Sequence, residues 1–269
     1  MITTLTQLST RKIGEAYKRL NIIQPGRCIL CNAKSMRPMD LCQACEDELP
    51  NIPKACYRCA IPLAPISSAS GPEPEFNNSE PPESKPLCGH CLSTNPPQTR
   101  AISLYLYDFP LDRLITQLKF SRQMHYGRVM GQLLANAIAH RYQGQAMPDA
   151  LIPVPLSKQR LRERGFNQAT LIAAPIAKAL GIPLLKYHCL RSRHTEAQSG
   201  LNASARHKNL INAFTVRKPL VNKLKQPLRH IAIVDDVMTT GATLESLAKT
   251  LLNKHVERVD FWTIARTPD

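Results

Sequence analysis

Hydrophobic and polar positions divide the chain near residue 95. Residues 1–25 read as an amphipathic N-terminal segment, and 26–95 show no sustained helix or strand period. From Arg100 onward, short apolar runs alternate with stretches of helical spacing. The runs 101–109 (AISLYLYDF), 149–156 (DALIPVPL), 182–185 (IPLL), 229–234 (RHIAIV) and 256–266 (VERVDFWTIAR) predict strands. Helices are predicted over 111–120 (LDRLITQLKF), 126–142, 164–180 despite Pro175, and 243–255. Strands separated by helices require crossover connections, so 100–269 is expected to be an α/β domain with a mostly parallel sheet flanked by helices. Its ligands belong at the C-terminal ends of the strands.

One such end carries unusual chemistry. In 231–244, IAIVDDVMTTGATL, an apolar run closes on two adjacent carboxylates, Asp235 and Asp236, before small and hydroxylated residues open a helix. The loop residues Thr239, Thr240, Gly241, Ala242 and Thr243 would offer backbone N–H groups, hydroxyls and the positive end of a helix dipole to a phosphate. Carboxylates repel phosphate, so the acidic pair must address sugar hydroxyls or a metal ion. The loop lacks the lysine and the glycines of a Walker motif.

The aperiodic region carries a different signal. Eight of the nine cysteines form four pairs of one spacing: Cys28 and Cys31, Cys42 and Cys45, Cys56 and Cys59, Cys88 and Cys91. Two intervening residues let both thiolates face one metal, and two such knuckles complete a tetrahedral zinc site, so about two structural zinc ions are expected in a double ribbon over 26–95. Neighbouring pairs could share a metal or the pairs could alternate; the local arrangement is preferred. The second site would then close around an insertion at about 62–86, rich in Pro, Ser and Glu, whose composition predicts disorder. His90, inside the last knuckle, is expected to be exposed, and Cys189, alone in an apolar context, to be packing.

Charge narrows the partners. The formal net charge is +15, and residues 151–229 hold fifteen Lys/Arg against two Asp/Glu. That field favours phosphorylated ligands or nucleic acid, single-stranded DNA included, although aromatic stacking residues are few. Residues 1–26 contain no apolar stretch of signal-peptide length and no segment approaches a membrane span, so a cytoplasmic protein is expected.

IVDDVMTTGATL resembles the signature of the type I phosphoribosyltransferases. Together with the CxxC region, LITQLKFSRQ (114–123), PVPLSKQRLRERGFNQ (153–168) and TEAQSGLNASARHKNLINAF (195–214), it makes the chain similar to the ComF family of competence-related proteins over nearly its whole length. The resemblance implies a type I phosphoribosyltransferase-like domain binding phosphoribosyl pyrophosphate with magnesium. Asp235 and Asp236 would hold the ribose hydroxyls, and Val237, Met238, Thr239, Thr240, Gly241, Ala242 and Thr243 would form the phosphate loop. Lys119 would meet pyrophosphate, with Arg122 as a second cation. Arg164 and Gln168 flank a shaped turn at Gly165, and 191–209 resemble the lid that closes over substrate. Sugar-cation chemistry of this kind is largely electrostatic and asks for no nucleophile. A transferase with an unidentified acceptor and a non-catalytic binder of the phosphoribosyl ligand or of single-stranded DNA both fit. A glutamine-dependent amidotransferase fits less well, since Ile2 stands where a nucleophilic cysteine would be needed. The family resemblance also implies a role in DNA uptake or in the use of DNA as a nutrient, with the DNA-uptake machinery as a partner.

Overall fold

The computed structural model describes residues 26–63, 85–120, 123–192, 213–222 and 224–268. The expected N-terminal segment, most of the expected insertion, Arg122 and residues 193–209 of the expected lid lie outside the described residues. The chain divides into two compact units, Met1–Glu48 and Leu49–Asp269.

In the smaller unit, the Cys28 N–H donates to the Ala33 carbonyl (2.8 Å) and the Asn32 N–H to the Cys28 carbonyl (2.9 Å). Asn32 turns this knuckle with φ 61°, a conformation asparagine tolerates better than most residues. A short helix, α1 (Gln43–Asp47), follows Cys42. Among the described residues of this unit, Leu41 and Met39 are buried along with Cys28, with Leu41 fully excluded from solvent. Metal ligation is the natural reinforcement for so small a core.

The larger unit runs through α2 (Gly89–Thr94), β1 (Arg100–Leu106), α3 (Leu111–Phe120), α4 (Met124–Arg141), β2 (Ala150–Pro153), α5 (Lys158–Arg164), α6 (Gln168–Leu180), β3 (Cys189–Arg191), β4 (Phe214–Val216), β5 (His230–Met238), α7 (Ala242–Leu252) and β6 (Arg258–Arg266). Strands β1, β6, β5 and β2 form, in that order, a parallel four-stranded sheet, and β3 pairs antiparallel with β4. The central strand β6 is buried at all but its first residue, which matches the near-continuous apolar run that a doubly covered parallel strand requires. Helix α3 buries Leu111, Leu114, Ile115 and Leu118, the i, i+3, i+4, i+7 face read from the sequence. Each such leucine contributes about 1.5–3 kcal/mol by leaving water. On one sheet face, Leu244, Leu247, Ala248 and Leu251 of α7 share a core with Ile231, Ile233, Val259 and Phe261.

Three boundaries depart from the sequence reading. The expected strand at 182–185 is reduced to a single bridge between Leu184 and Leu151, because Pro183 has no N–H to extend a ladder and accepts only through its carbonyl. The helix expected over 164–180 begins only at Gln168, and Arg164 instead ends a separate helix, α5. Gly165, at φ 82°, ends α5, and Asn167 starts α6 by accepting from the Ala169 N–H (3.0 Å) while donating to the Val154 carbonyl (2.9 Å). Strand β5 runs four residues further than its apolar run, since β6 keeps pairing with it through Met238 and Arg266. The acidic pair therefore sits inside the strand.

Helices α4 and α6 approach closely at two glycines of α4. A Cβ on Gly131 would lie 2.4 Å from the Ile172 carbonyl oxygen and 2.5 Å from Pro175 Cγ. One on Gly127 would lie 2.8 Å from Leu171 Cβ and 3.6 Å from Leu118 Cδ1. These approaches are possible only for glycine.

At the opposite end of the sheet from the acidic pair, Asp260 is fully buried. It accepts from the Tyr142 hydroxyl and lies 2.9 Å from His230 Nε2 and 3.0 Å from Arg258 Nη2. Burial alone would raise this carboxyl, but His230, Tyr142 and Arg258 together hold it below the usual carboxylate range. A depressed folded-state value stabilises the fold above the unfolded value of about 3.9, and that stabilisation is lost as pH falls through the folded value. Urea unfolding measured from pH 7 down to pH 3 should therefore lose stability more steeply in the native protein than in Asp260→Asn. Parallel profiles would refute this assignment.

Candidate functional site

Two cysteine tetrads are assembled, Cys28 with Cys31, Cys42 and Cys45, and Cys56 with Cys59, Cys88 and Cys91, each with all ligand atoms within 4.8 Å of one another. The sulfurs of Cys31 and Cys42 are 3.8 Å apart and those of Cys59 and Cys88 are 3.6 Å apart. Four sulfurs at ~2.3 Å from one zinc stand about 3.8 Å apart, so both sets fit a tetrahedral ion. The knuckle backbone favours thiolate. Burial pushes the Cys28 thiol up, but the N–H groups of Cys31, Cys42 and Leu30 outweigh it and bring it down to about 6. At Cys56, the same contest with the N–H groups of Cys88, Cys59 and Arg58 ends at about 7. Crowding by neighbouring sulfurs adds to burial in raising Cys45 and Cys91, and a divalent cation would relieve it. His90 is exposed, and Cys189 is buried in apolar surroundings that push its thiol up to about 12.

The second candidate is a cleft of about 640 Å³ at the C-terminal end of the sheet. Lys119 from α3, Arg160, Glu163 and Arg164 from α5, Gln168 from α6, Arg191 from β3, Asp235 and Asp236 from β5 and Thr243 from α7 all line it. Lys119 Nζ lies 2.7 Å from Asp236 Oδ2, as an ion pair without hydrogen-bond alignment. Asp236 is almost wholly buried, so this lysine compensates a charge that would otherwise be costly. Burial and the neighbouring Asp236 carboxylate raise Asp235 well above the usual carboxylate range, against the pull of its bond from the Asp236 N–H and of Lys119. The Arg164 guanidinium donates to Gln168 Oε1 and stands over the Phe120 ring at 5.6 Å. Burial lowers the affinity of Arg164 and Arg191 for their protons, while the aspartates counteract it.

The loop at the head of α7 divides two spaces. Thr243 faces the cleft, whereas Met238, Thr240 and Gly241 line a neighbouring cavity of about 700 Å³ together with Cys59, Cys88, Cys91 and Arg266. Gly241 caps the helix at φ 82°, and the Ala242 N–H reaches Thr240 Oγ1 at 3.4 Å. The first-turn N–H groups of a helix have no intrahelical acceptors and are available to an anion. Thr239 is exposed, while Val237 and Ala242 are half-buried.

Residues 19–92 match the family model of the double zinc ribbon domain. The chain is 34% identical over 243 residues to Competence protein F of Haemophilus influenzae, covering 89% of this chain and 96% of that protein. It is 34% identical over 246 residues to DNA utilization protein YhgH of Salmonella typhimurium, covering 90% and 98%. The chain belongs to the ComF family. Competence protein ComFC of Bacillus subtilis is 28% identical over 154 residues, or 56% of this chain and 58% of that relative. For this ComF-family chain, the ribbon match and the two tetrads together support about two structural zinc ions. No helix among the described residues is long and apolar enough to cross a membrane.

Of the residues singled out in the sequence, the cleft gathers Lys119, Arg164, Gln168, Asp235, Asp236 and Thr243. The cleft also takes in Arg160 and Glu163, to which the sequence reading assigns no role, and Arg191, the first residue of the expected lid. Their common signal was faint. Arg191 ends a three-residue strand whose partner, β4, lies more than twenty residues away, a pairing that no local pattern announces.

Proposed function

We propose that this ComF-family protein binds phosphoribosyl pyrophosphate in the cleft lined by Asp235, Asp236 and Thr243, with residues 239–242 at its border, and that it acts in competence or in the use of DNA as a nutrient. The observation that carries the ligand reading is the convergence in one cleft of an acidic pair, several cations and the N-terminal turn of α7. The carboxylates suit ribose hydroxyls, the helix turn suits the 5-phosphate, and Arg160, Arg164 and Arg191 suit the pyrophosphate. Magnesium held on the pyrophosphate would neutralise part of its charge, and the hard oxygen donors offered here are the carboxylates of Glu163, Asp235 and Asp236. Lys119 would hold Asp236 in the free protein and be available to the diphosphate once a sugar hydroxyl occupies that carboxylate. The biological role rests on the names of the relatives, Competence protein F and DNA utilization protein YhgH.

Incubation with phosphoribosyl pyrophosphate and magnesium, alone and with nucleobases or single-stranded DNA, tests the proposal. Binding in calorimetry is expected. Sustained, acceptor-dependent release of pyrophosphate would make the protein a transferase, and binding without release a phosphoribosyl-ligand sensor. Failure to bind either phosphoribosyl pyrophosphate or ribose 5-phosphate would overturn the reading.

A nucleic-acid partner is favoured by the basic stretch 151–229. Single-stranded DNA should then bind with little sequence preference, and the affinity should fall steeply between 50 and 200 mM salt, by roughly 10³-fold if about six phosphates are neutralised. Salt-insensitive binding, or none at low ionic strength, would return those charges to phosphate capture alone.

A further inference from the structure

The second cysteine tetrad is built into the sheet domain. The Leu106 N–H donates to the Pro50 carbonyl (2.7 Å), the Ala101 N–H to the Tyr57 carbonyl (2.9 Å), and Gln98 Nε2 to the Arg58 carbonyl (2.9 Å). Tyr57 and Arg58 are the two residues between Cys56 and Cys59. The knuckle is therefore held against β1 by its own backbone.

Arg266, the last residue of β6, extends that connection to the phosphate loop. Its guanidinium is buried. Nε donates to the carbonyl of Cys59 at 3.1 Å, and Nη1 reaches the carbonyl of Met238 at 3.5 Å and that of Thr267 at 2.6 Å. Met238 ends β5, immediately before residues 239–243, and its carbonyl also accepts from the Thr267 N–H at 3.1 Å. One side chain thus touches a zinc-knuckle carbonyl and the residue from which the loop departs. The cavity of about 700 Å³ described above is where the two meet, lined by Cys59, Cys88, Cys91, Arg266, Thr240 and Gly241. Charge explains why a buried cation belongs there. Four thiolates around one divalent ion leave a net charge of about −2, which favours a guanidinium beside the knuckle.

We propose that Arg266 is a positioning residue that couples the Cys56/Cys59/Cys88/Cys91 centre to the phosphate loop, so that zinc in this centre sets the affinity of residues 239–243 for a phosphate group. The inference rests on the phosphate-binding reading of that loop. The charged centre holds the guanidinium, the guanidinium fixes the Met238 carbonyl, and the loop leaves the sheet in the phosphate-binding geometry. The Cys28 centre lies in the other compact unit and has no such part. Coupling between two binding sites is reciprocal, so phosphate on the loop must in turn retain zinc in the second centre.

Three measurements on the full chain test this. Zinc release to a colorimetric chelator should show two phases, and saturating ribose 5-phosphate should slow one of them by roughly fivefold or more, the low end of typical coupling. Arg266→Met, retaining two zinc ions, should lose that protection and bind ribose 5-phosphate at least fivefold more weakly. Arg266→Lys keeps the charge but cannot span both carbonyls, and should restore little. Amide hydrogen exchange at 238–243 should be faster in Arg266→Met and in Cys88→Ser than in the native protein, and unchanged in Cys28→Ser. If native protein fails to bind ribose 5-phosphate, the phosphate reading falls and exchange alone decides the coupling. Unchanged exchange at 238–243 in Arg266→Met overturns it. If the variants do not fold, ligand-independent zinc release from native protein that does bind ribose 5-phosphate overturns it equally.

Discussion

Stripping zinc from this protein should cost more stability than any single substitution. Metal analysis of protein purified under reducing, chelator-free conditions is expected to give about two zinc ions per chain, and one in either Cys28→Ser or Cys56→Ser. Structural zinc sites of this kind bind with an apparent ~10–16 kcal/mol near neutral pH, and without metal the ligands have little else to hold them together. The consequences should differ between the two tetrads. In Met1–Glu48 the described apolar core is little more than Leu41 and Met39, so loss of the Cys28 centre should disorder that unit and leave the sheet domain's melting unchanged. The Cys56 centre belongs to the larger unit and hydrogen-bonds to β1, so its loss should lower the main thermal transition as well. Thermal melts of the two variants followed by circular dichroism would separate these cases, and metal-free protein with the native melting curve would refute both.

The second large effect is expected at the phosphate loop. Gly241 adopts φ 82°, where a β-branched residue is strained by about 1–2 kcal/mol. The space around it is open: an added Cβ would meet nothing nearer than Glu245 Oε1 at 3.7 Å and Met238 Sδ at 3.8 Å. Thr240→Val with Gly241→Val should therefore leave the sheet intact yet abolish binding of ribose 5-phosphate and of phosphoribosyl pyrophosphate alike. Asp235→Asn and Asp236→Asn should instead weaken each ligand by about 1 kcal/mol or more per site, as charge-assisted bonds to hydroxyls become neutral ones. Lys119→Ala leaves Asp236 buried without its counter-charge, so its effect should reach the ribose half of the ligand as well as the pyrophosphate. Calorimetric titration of each variant with both ligands in magnesium checks these outcomes. Indifference to every substitution would reduce the motif to a strand-to-helix turn.

The sheet was legible in the chain because each of its strands carries a short apolar run and its helices bury one face, and both patterns are properties of short windows. The cysteine spacing announced the ribbon for a similar reason, since two residues between ligands is a local geometric condition. What local pattern could not supply was the company each residue keeps. Asp236 reads as the end of a strand, but β6 extends the pairing past it and α3 brings Lys119 to it from more than a hundred residues away. The turn at Gly165 was legible, but the helix before it was not, because Lys158–Arg164 buries no residue and so presents no apolar face to read. Arg266 ends a strand, and nothing local shows that its guanidinium is buried and donates to the carbonyls of Cys59 and Met238, both distant in the chain.

The glycines of α4 carry a meaning beyond packing. Gly127 lets Leu171 of α6 and Leu118 of α3 press against the same helix, and those leucines lie close in sequence to Gln168 and Lys119, which both line the cleft. The bore of the cleft is thus gauged by hydrogen atoms where methyl groups would otherwise stand. A change to alanine at residue 127 or 131 would act as a shim between the walls, altering the size of molecule admitted while leaving every group that touches it chemically the same. The proposed ligand site would then have a calibration point remote from anything it touches.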